Sequence, residues 1–301
     1  MQGKFVSYPP GSVRIVTAVL LTILVSACAS RSPVKDSTKP MTSPAQVRAE
    51  AEQAVRYGDH ARALSIWQQL LETSPDDVVA LRGIGEVYLS VRENAAAVAA
   101  FDRVLVTLPD DPDSREGRGL ALLALGRRDE ALRQLQPLDA ATPPRWRSLN
   151  ALGLLADLNN QRAQALGYYT RALALQPDST MIVNNMGYSR LMAGDYAMAE
   201  QHFQAGLASA PDDRHLRGNL VMAIAWQGDY SRALAEAETQ QSREEALNNI
   251  GYIALLRKDY PAAIHYFEAA IAASPRWYPR ASANLERARQ EASAVMAASK
   301  N

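Results

Sequence analysis

Cysteine, histidine and asparagine are the residue types here whose placement could carry chemistry. Cys28 is the only cysteine in 301 residues, so no disulfide can close within the chain. It stands directly behind Val25-Ser26-Ala27, at the end of an eleven-residue apolar run from Ile15 to Val25 that follows Lys4 and Arg14. Small residues before a cysteine at that place suit cleavage by a signal peptidase, whether the cysteine takes part in the processing or stands by chance at an ordinary secretory site. The histidines, His60, His202, His215 and His265, lack the spacing of a shared metal site on one helix. His202, His215 and His265 read as surface residues. No serine nucleophile elbow, P-loop or dinucleotide fingerprint occurs, so neither catalysis, metal nor cofactor is expected. Asparagine recurs instead, at Asn150, Asn184, Asn185, Asn219, Asn248 and Asn249. A carboxamide is both donor and acceptor, so a row of them can hold an extended peptide backbone whatever its side chains.

The N-terminal stretch reads as a processing segment. Spanning a bilayer takes about 20 apolar residues in a helix, and the run before Cys28 has the length of a signal peptide's apolar core. The quartet ending in Cys28 resembles a lipobox, which implies two or three acyl chains and hence retention at a membrane without a transmembrane helix. Residues 1–27 are then the signal peptide and 28–43 a lipidated tether, rich in Ser, Pro, Thr and Lys with no apolar period. Ala29 and Ser30, rather than Asp, follow the cysteine, which by resemblance implies sorting to the outer membrane, with the body facing the periplasm.

Formal net charge is zero, and losing Lys4 and Arg14 with the first 27 residues leaves about −2. No basic surplus exists to neutralise a phosphate backbone, so nucleic acid is not an expected partner. Hydrophobic residues make up 48% of the chain, with Ala and Leu prominent and aromatics at 7%, which favours helix over sheet.

What positions the asparagines is a 34-residue period. Ala63, Ala97, Ala131, Ala165, Ala199 and Ala233 step by 34, and Ala263 follows after 30. Pro75, Pro109, Pro143, Pro177 and Pro211 keep the same interval, then comes Pro275. Gly85, Gly119, Gly153, Gly187 and Gly251 form a third ladder, with Ala51 and Val221 in its gaps. Four residues after each alanine comes a large side chain, Trp67, Phe101, Leu135, Tyr169, Phe203 or Phe267, and only Ala237 departs. Small residues let two helices per unit approach to roughly 8–10 Å, and the large residue fills the space between units. Proline ends the second helix. Asp76-Asp77, Asp110-Asp111, Asp178-Ser179 and Asp212-Asp213 supply caps for the next one. Gly58-Asp59, Gly194-Asp195 and Gly228-Asp229 close one helix and cap the other within a unit. Between Ala233 and Gly251 the period shortens by four residues, so the sixth unit should have a clipped second helix or turn and a local change of superhelical pitch. Arg280 to Ser299 should form a last amphipathic helix over the exposed end, using Leu285, Ala288 and Val295.

Three ladders in one register resemble the tetratricopeptide repeat. The resemblance implies an all-α, right-handed solenoid of seven helix pairs, 44–77, 78–111, 112–145, 146–179, 180–213, 214–243 and 244–277, plus a capping helix and tail at 278–301. In that family the first helices line a concave groove. The likeness thereby assigns Arg147, Asn150, Leu154 and Leu158 to the groove from unit four, and Met181, Asn184, Asn185, Tyr188, Leu191 and Met192 from unit five. Unit six adds His215, Asn219, Met222 and Trp226, and unit seven adds Asn248, Asn249, Tyr252, Leu255 and Leu256. Tyr188, Met192, Met222, Trp226 and Tyr252 are adaptable apolar anchors. The competing account is that the asparagines cap helix starts and the aromatics pack between units, Trp226 among them. The family's carboxylate clamp is not assembled by Arg82 and Asn150. Arg127-Arg128 and Arg145/Arg147 read as solvated turn charges.

A narrower likeness lies in Asn184-Asn185-Met186-Gly187-Tyr188, Leu191-Met192-Ala193-Gly194-Asp195, Arg217-Gly218-Asn219-Leu220 and Gln227-Gly228-Asp229. With the lipobox, these resemble the TadD-type lipoproteins of the tight-adherence (Flp) pilus machinery. That resemblance implies a non-enzymatic adaptor that binds the pilus secretin or other assembly proteins, and no small-molecule substrate. Two other roles share the fold: a pilotin for another pilus or secretion secretin, and a scaffold recruiting peptidoglycan hydrolases.

Overall fold

The computed structural model describes residues 43–276 and 278–298. The signal, lipobox and most of the tether, Cys28 included, lie outside the described residues. Among those described, fifteen α-helices follow one another and no strand occurs. They are α1 (Pro44–Arg56), α2 (His60–Thr73), α3 (Val78–Ser90), α4 (Asn94–Thr107), α5 (Pro112–Ala124), α6 (Arg128–Leu135), α7 (Trp146–Leu158), α8 (Arg162–Leu175), α9 (Thr180–Met192), α10 (Tyr196–Ser209), α11 (Arg214–Gln227), α12 (Tyr230–Ala237), α13 (Arg243–Leu256), α14 (Tyr260–Ala273) and α15 (Pro279–Ala298). Odd and even helices pair as first and second members of seven units, and α15 packs on α14 and α13.

Local chemistry explains the ends. Asp77, Asp111, Ser179 and Asp213 cap the first helices α3, α5, α9 and α11, and Asp59, Asp195, Asp229 and Asp259 cap the second helices α2, α10, α12 and α14, each through a side-chain oxygen. Second helices α2, α4, α8, α10 and α14 stop two residues before Pro75, Pro109, Pro177, Pro211 and Pro275. Within six of the seven units the first helix closes the same way: the amide two residues past its cap reaches the carbonyl five residues back, as in Asp59 to Ala54 and Asp195 to Arg190.

The turn between the two helices places a left-handed residue in every unit. Gly58, Gly126, Gly194 and Gly228 supply it in four, but Arg92, Asn160 and Lys258 stand there with φ of 63°, 58° and 62°. A side chain in this region costs roughly 1–2 kcal/mol, partly offset by glycine's greater freedom in the unfolded chain. Lys258→Gly is therefore expected to stabilise the protein by about 0.5–1 kcal/mol, read as a higher denaturant midpoint at unchanged slope.

The core is a file of large side chains between units. Trp67, Phe101, Leu135, Tyr169, Phe203 and Phe267 are all essentially inaccessible. Each lies over a glycine of a first helix: Phe101 over both Gly85 and Gly117, Tyr169 over Gly153, Phe203 over Gly187 and Phe267 over Gly251. In the sixth unit Ala237 takes the large residue's place and Val221 the glycine's, both buried, and α12 has only eight residues. A second short helix, α6, also has eight residues and passes into a 3-10 turn at Gln136–Leu138. Pro137 brings this about, since it has no amide to donate and restricts Gln136 before it. In α15, Ala281, Leu285 and Ala288 are buried but Val295 is 54% exposed, so only the first half of the cap covers the preceding unit.

Candidate partner-binding groove

Each first helix touches the first helix of the next unit, from α1 against α3 through to α13 against α15, whereas second helices make no comparable contact with one another. The first helices therefore crowd along the inner wall. Residues about 34 apart fall side by side there, which brings the asparagines together.

They join in pairs across units. Asn185 donates to the Asn150 oxygen at 2.9 Å, linking α9 to α7. Asn219 donates to the Asn184 oxygen at 2.7 Å, linking α11 to α9. None of these asparagines caps a helix. The bonds use only one end of each carboxamide. Asn150 and Asn184 keep their amide groups and Asn185 and Asn219 their oxygens, with no partner among the described residues and none sealed from solvent. Each pair is thus a rung offering one donor and one acceptor, the complement of a peptide unit. Helices about 8–10 Å apart put such rungs within reach of every second or third residue of an extended strand, which rises about 3.3 Å per residue.

The seventh unit differs. Asn248 is only 2% exposed and accepts from Asn284 of α15 at 3.0 Å. It braces the cap and is not offered to a ligand. Asn249 is exposed and donates to Gln241 in the preceding turn at 2.8 Å.

The helices that carry the rungs also hold apolar side chains open to water: Tyr188 and Met192 of α9 at 40% and 53% exposure, Met181 at the start of α9, and Leu154 of α7. Met222 and Tyr252 are half-buried against the core of units five to seven. Trp226 is half-buried too, its ring stacked on Tyr196 of α10 with centroids 5.5 Å apart. That stack gives Trp226 the packing role that the sequence had left open beside the groove assignment. Behind the wall, Asp157 accepts from Tyr169, Ser189 and Arg162 at 3.0, 2.7 and 2.9 Å and ties α7, α8 and α9 into one frame. Glu200 does the same for units five and six: burial opposes its charge, but bonds from Arg232 and Gln227 prevail and hold its carboxyl below the usual range.

Toward the N-terminus the same wall changes chemistry. Arg48 pairs with Asp77 at 2.5 Å, Arg82 with Asp113, Arg145 with Asp113 and Glu116 at 2.7 and 3.3 Å, and Arg147 with Glu86 at 3.1 Å. Arg145 and Arg147 are therefore not solvated turn charges. They are half-buried partners in a ladder of ion pairs, because acids of earlier units face them across the inner wall. Arg127 does remain at the surface, bonded to Glu130. Among the described residues no group of His, Cys, Asp and Glu is placed to hold a metal ion, and no helix is long and apolar enough to cross a membrane.

Stacked helix pairs with an inner wall of first helices define a helical-repeat solenoid, the architecture of protein-interaction scaffolds. The tetratricopeptide repeat profile matches residues 48–114, 116–180, 150–214 and 226–276, and the chain belongs to that family. No curated protein matches the sequence. Among solved structures, that of the APC/C hetero-tetramer Cut9-Hcn1 has a TM-score of 0.59 at 19% identity, covering 82% of this chain and 49% of that one. This chain thus spans about half the length of that protein. A tetratricopeptide repeat protein from Parabacteroides merdae has a TM-score of 0.55 at 17% identity, over 81% of this chain and 98% of that one. PilW, described as a widely conserved type IV pilus biogenesis factor, has a TM-score of 0.53 at 18% identity, over 80% of this chain and 96% of that one. At these identities the likeness is one of fold.

Proposed function

We propose that this protein is a lipid-anchored adaptor of the outer membrane, its body in the periplasm, which holds an extended segment of a protein partner along units four to six and serves Flp/Tad pilus assembly by helping the secretin assemble or localise. The observation that carries the binding part is the pair of asparagine rungs, Asn150–Asn185 and Asn184–Asn219, each with a free donor and a free acceptor, on helices that also carry exposed Tyr188 and Met192. The pilus part is supported by the TadD-like stretches, which contain all of those residues except Asn150. The lipobox-like quartet at Cys28 and the shared fold with a pilus biogenesis factor are in keeping with it.

The groove is tested with substitutions that leave the frame intact. Asn184 and Asn185 each bond a neighbouring helix, so their loss costs about 0.5–1.5 kcal/mol of stability per bond. Tyr188 and Met192 make no such bond. Tyr188→Ala with Met192→Ala is expected to weaken partner capture by about tenfold or more, as loss of a hot spot does, while melting shifts little. Capture is measured by in-cell crosslinking and mass spectrometry, followed by quantitative co-purification from detergent-solubilised membranes. Unchanged capture would remove the groove from the account. Recovery of peptidoglycan hydrolases without secretin would favour the scaffold role, and recovery of a secretin from another pilus or secretion system the pilotin role.

A further inference from the structure

At the opposite end of the inner wall, α1, α3 and α5, with Trp67 of α2 and Arg147 of α7, line an open pocket of about 410 Å³. Four carboxylates line it, Glu52, Glu86, Asp113 and Glu116, against two guanidiniums, Arg82 and Arg147. Asp113 and Glu116 are well supplied with donors: Arg82 and Arg145 bond Asp113, and Arg145 and the Ser148 amide and hydroxyl bond Glu116. Glu86 has Arg147 alone and remains 45% exposed. Glu52 makes no ion pair among the described residues. Glu52 and Glu86 occupy equivalent places 34 residues apart on touching helices, so the unneutralised charge is concentrated at one spot.

The floor gives an independent sign. Trp67 is 2% exposed, and its indole Nε1 is buried with no acceptor. An unpaired buried donor costs about 1–3 kcal/mol, and among the residues that line the pocket Trp67 alone carries one. Glycine at position 83 is what lets the edge that carries it reach this wall: a methyl group there would lie 2.6 Å from Nε1. Gly83 and Trp67 both line the pocket, so this edge of the indole lies at its floor, on the same wall as the two glutamates.

We infer that this pocket is a second partner subsite, selective for the basic side chain of an extended protein segment. The cation sits between Glu52 and Glu86, and a backbone carbonyl of the same segment accepts from the Trp67 indole, directly or through one water. Charge complementarity identifies the occupant: once Arg145, bonded to Asp113 and Glu116, is set beside Arg82 and Arg147, the four carboxylates still exceed the guanidiniums by one, and Glu52 is the one left without a cation. This subsite shares no residue with the asparagine rungs, so each can fail without the other.

The indole N–H is also the reporter. In the ¹⁵N-tryptophan-labelled full chain in detergent, the Trp67 signal is identified by its loss in Trp67→Phe. Nα-acetyl-arginine methylamide is expected to move that signal in a saturable manner and leave the Trp226 signal in place. The norleucine analogue, of similar length without charge, should not move it. Glu52→Gln, an exposed change that breaks no ion pair, is expected to weaken the arginine probe about two- to fivefold, and Glu52→Gln with Glu86→Gln to abolish the shift. A stationary Trp67 signal, equal shifts with both probes, or unchanged affinity in Glu52→Gln would each overturn the proposal.

Discussion

Phe101→Ala is expected to lower stability by about 3–5 kcal/mol, the cost of emptying a fully buried aromatic site, and to split one unfolding transition into two. Phe101 is completely buried and belongs to two units at once. Methyl groups on Gly85 of α3 and on Gly117 of α5 would both fall inside its ring's contact distance. It is packed with Ala97, Val98, Ala121, Leu122 and Leu135 in one cluster. In a solenoid each unit is stabilised by its neighbours, so a cavity at one junction uncouples the array there. Units one and two should then melt ahead of the rest, seen as a low-denaturant phase in circular dichroism and early proteolysis N-terminal to α5. Gly117→Ala attacks the same junction by overpacking. Combined with Phe101→Leu, whose side chain lacks the ring edge nearest Gly117, it should cost less than the sum of the single changes, with a coupling of about 0.5–3 kcal/mol. A loss under about 1 kcal/mol for Phe101→Ala, well below the range for such cavities, with one intact transition, would mean that the aromatic file does not hold the units together.

Phe101, Gly85 and Pro109 are legible in the sequence for the same reason they matter here. Every unit must solve the same packing problem, so the solution repeats at 34 residues and shows as ladders. What does not repeat is harder to see. The early end of α6 comes from Pro137, a breaker inside a second helix whose Leu135 still keeps the register. Arg92, Asn160 and Lys258 adopt a glycine conformation without being glycine, because the closing hydrogen bonds of the first helix fix the backbone whatever the residue. The groove is half legible. Residue type marks the asparagines as donors and acceptors. That Asn185 meets Asn150, 35 residues earlier and so one place off the repeat register, depends on side-chain reach across the helix contact. Asn248 looks equivalent and is not, since Asn284 of the cap, outside the repeat register, takes its oxygen. Arg147 pairs with Glu86, 61 residues earlier, across an intervening unit, a partnership that no local pattern announces. Long-range electrostatics of this kind are set by the curvature of the stacked helices, which the repeat period does not encode.

Cys28→Ser is expected to move the protein from the membrane to the soluble fraction while leaving its melting unchanged. On the anchoring proposed here, the sulfur carries diacylglycerol, and each buried methylene contributes about 0.8 kcal/mol. A single fourteen-carbon chain binds membranes only marginally, with an association constant of about 10⁴ M⁻¹, and stable anchoring takes a second signal. Two or three chains on one residue meet that requirement, and serine forms no thioether, so the substitution removes all of them together. The body supplies no substitute, since none of its described helices is long and apolar enough to cross a bilayer. Its packed core begins at Val47, nineteen positions beyond the cysteine, which is why folding should not register the change. The measurement is fractionation of cells followed by carbonate and high-salt washes of the membranes. A serine variant that stays with washed membranes would show that something other than acyl chains retains the protein. Destination is separable from retention: Ala29→Asp keeps the cysteine but alters the residue after it, and should redirect the anchored protein from outer to inner membrane. If both variants behave so, the tether decides where the groove is displayed and the groove alone decides what it holds, because partner capture by the purified serine variant should match that of the anchored chain.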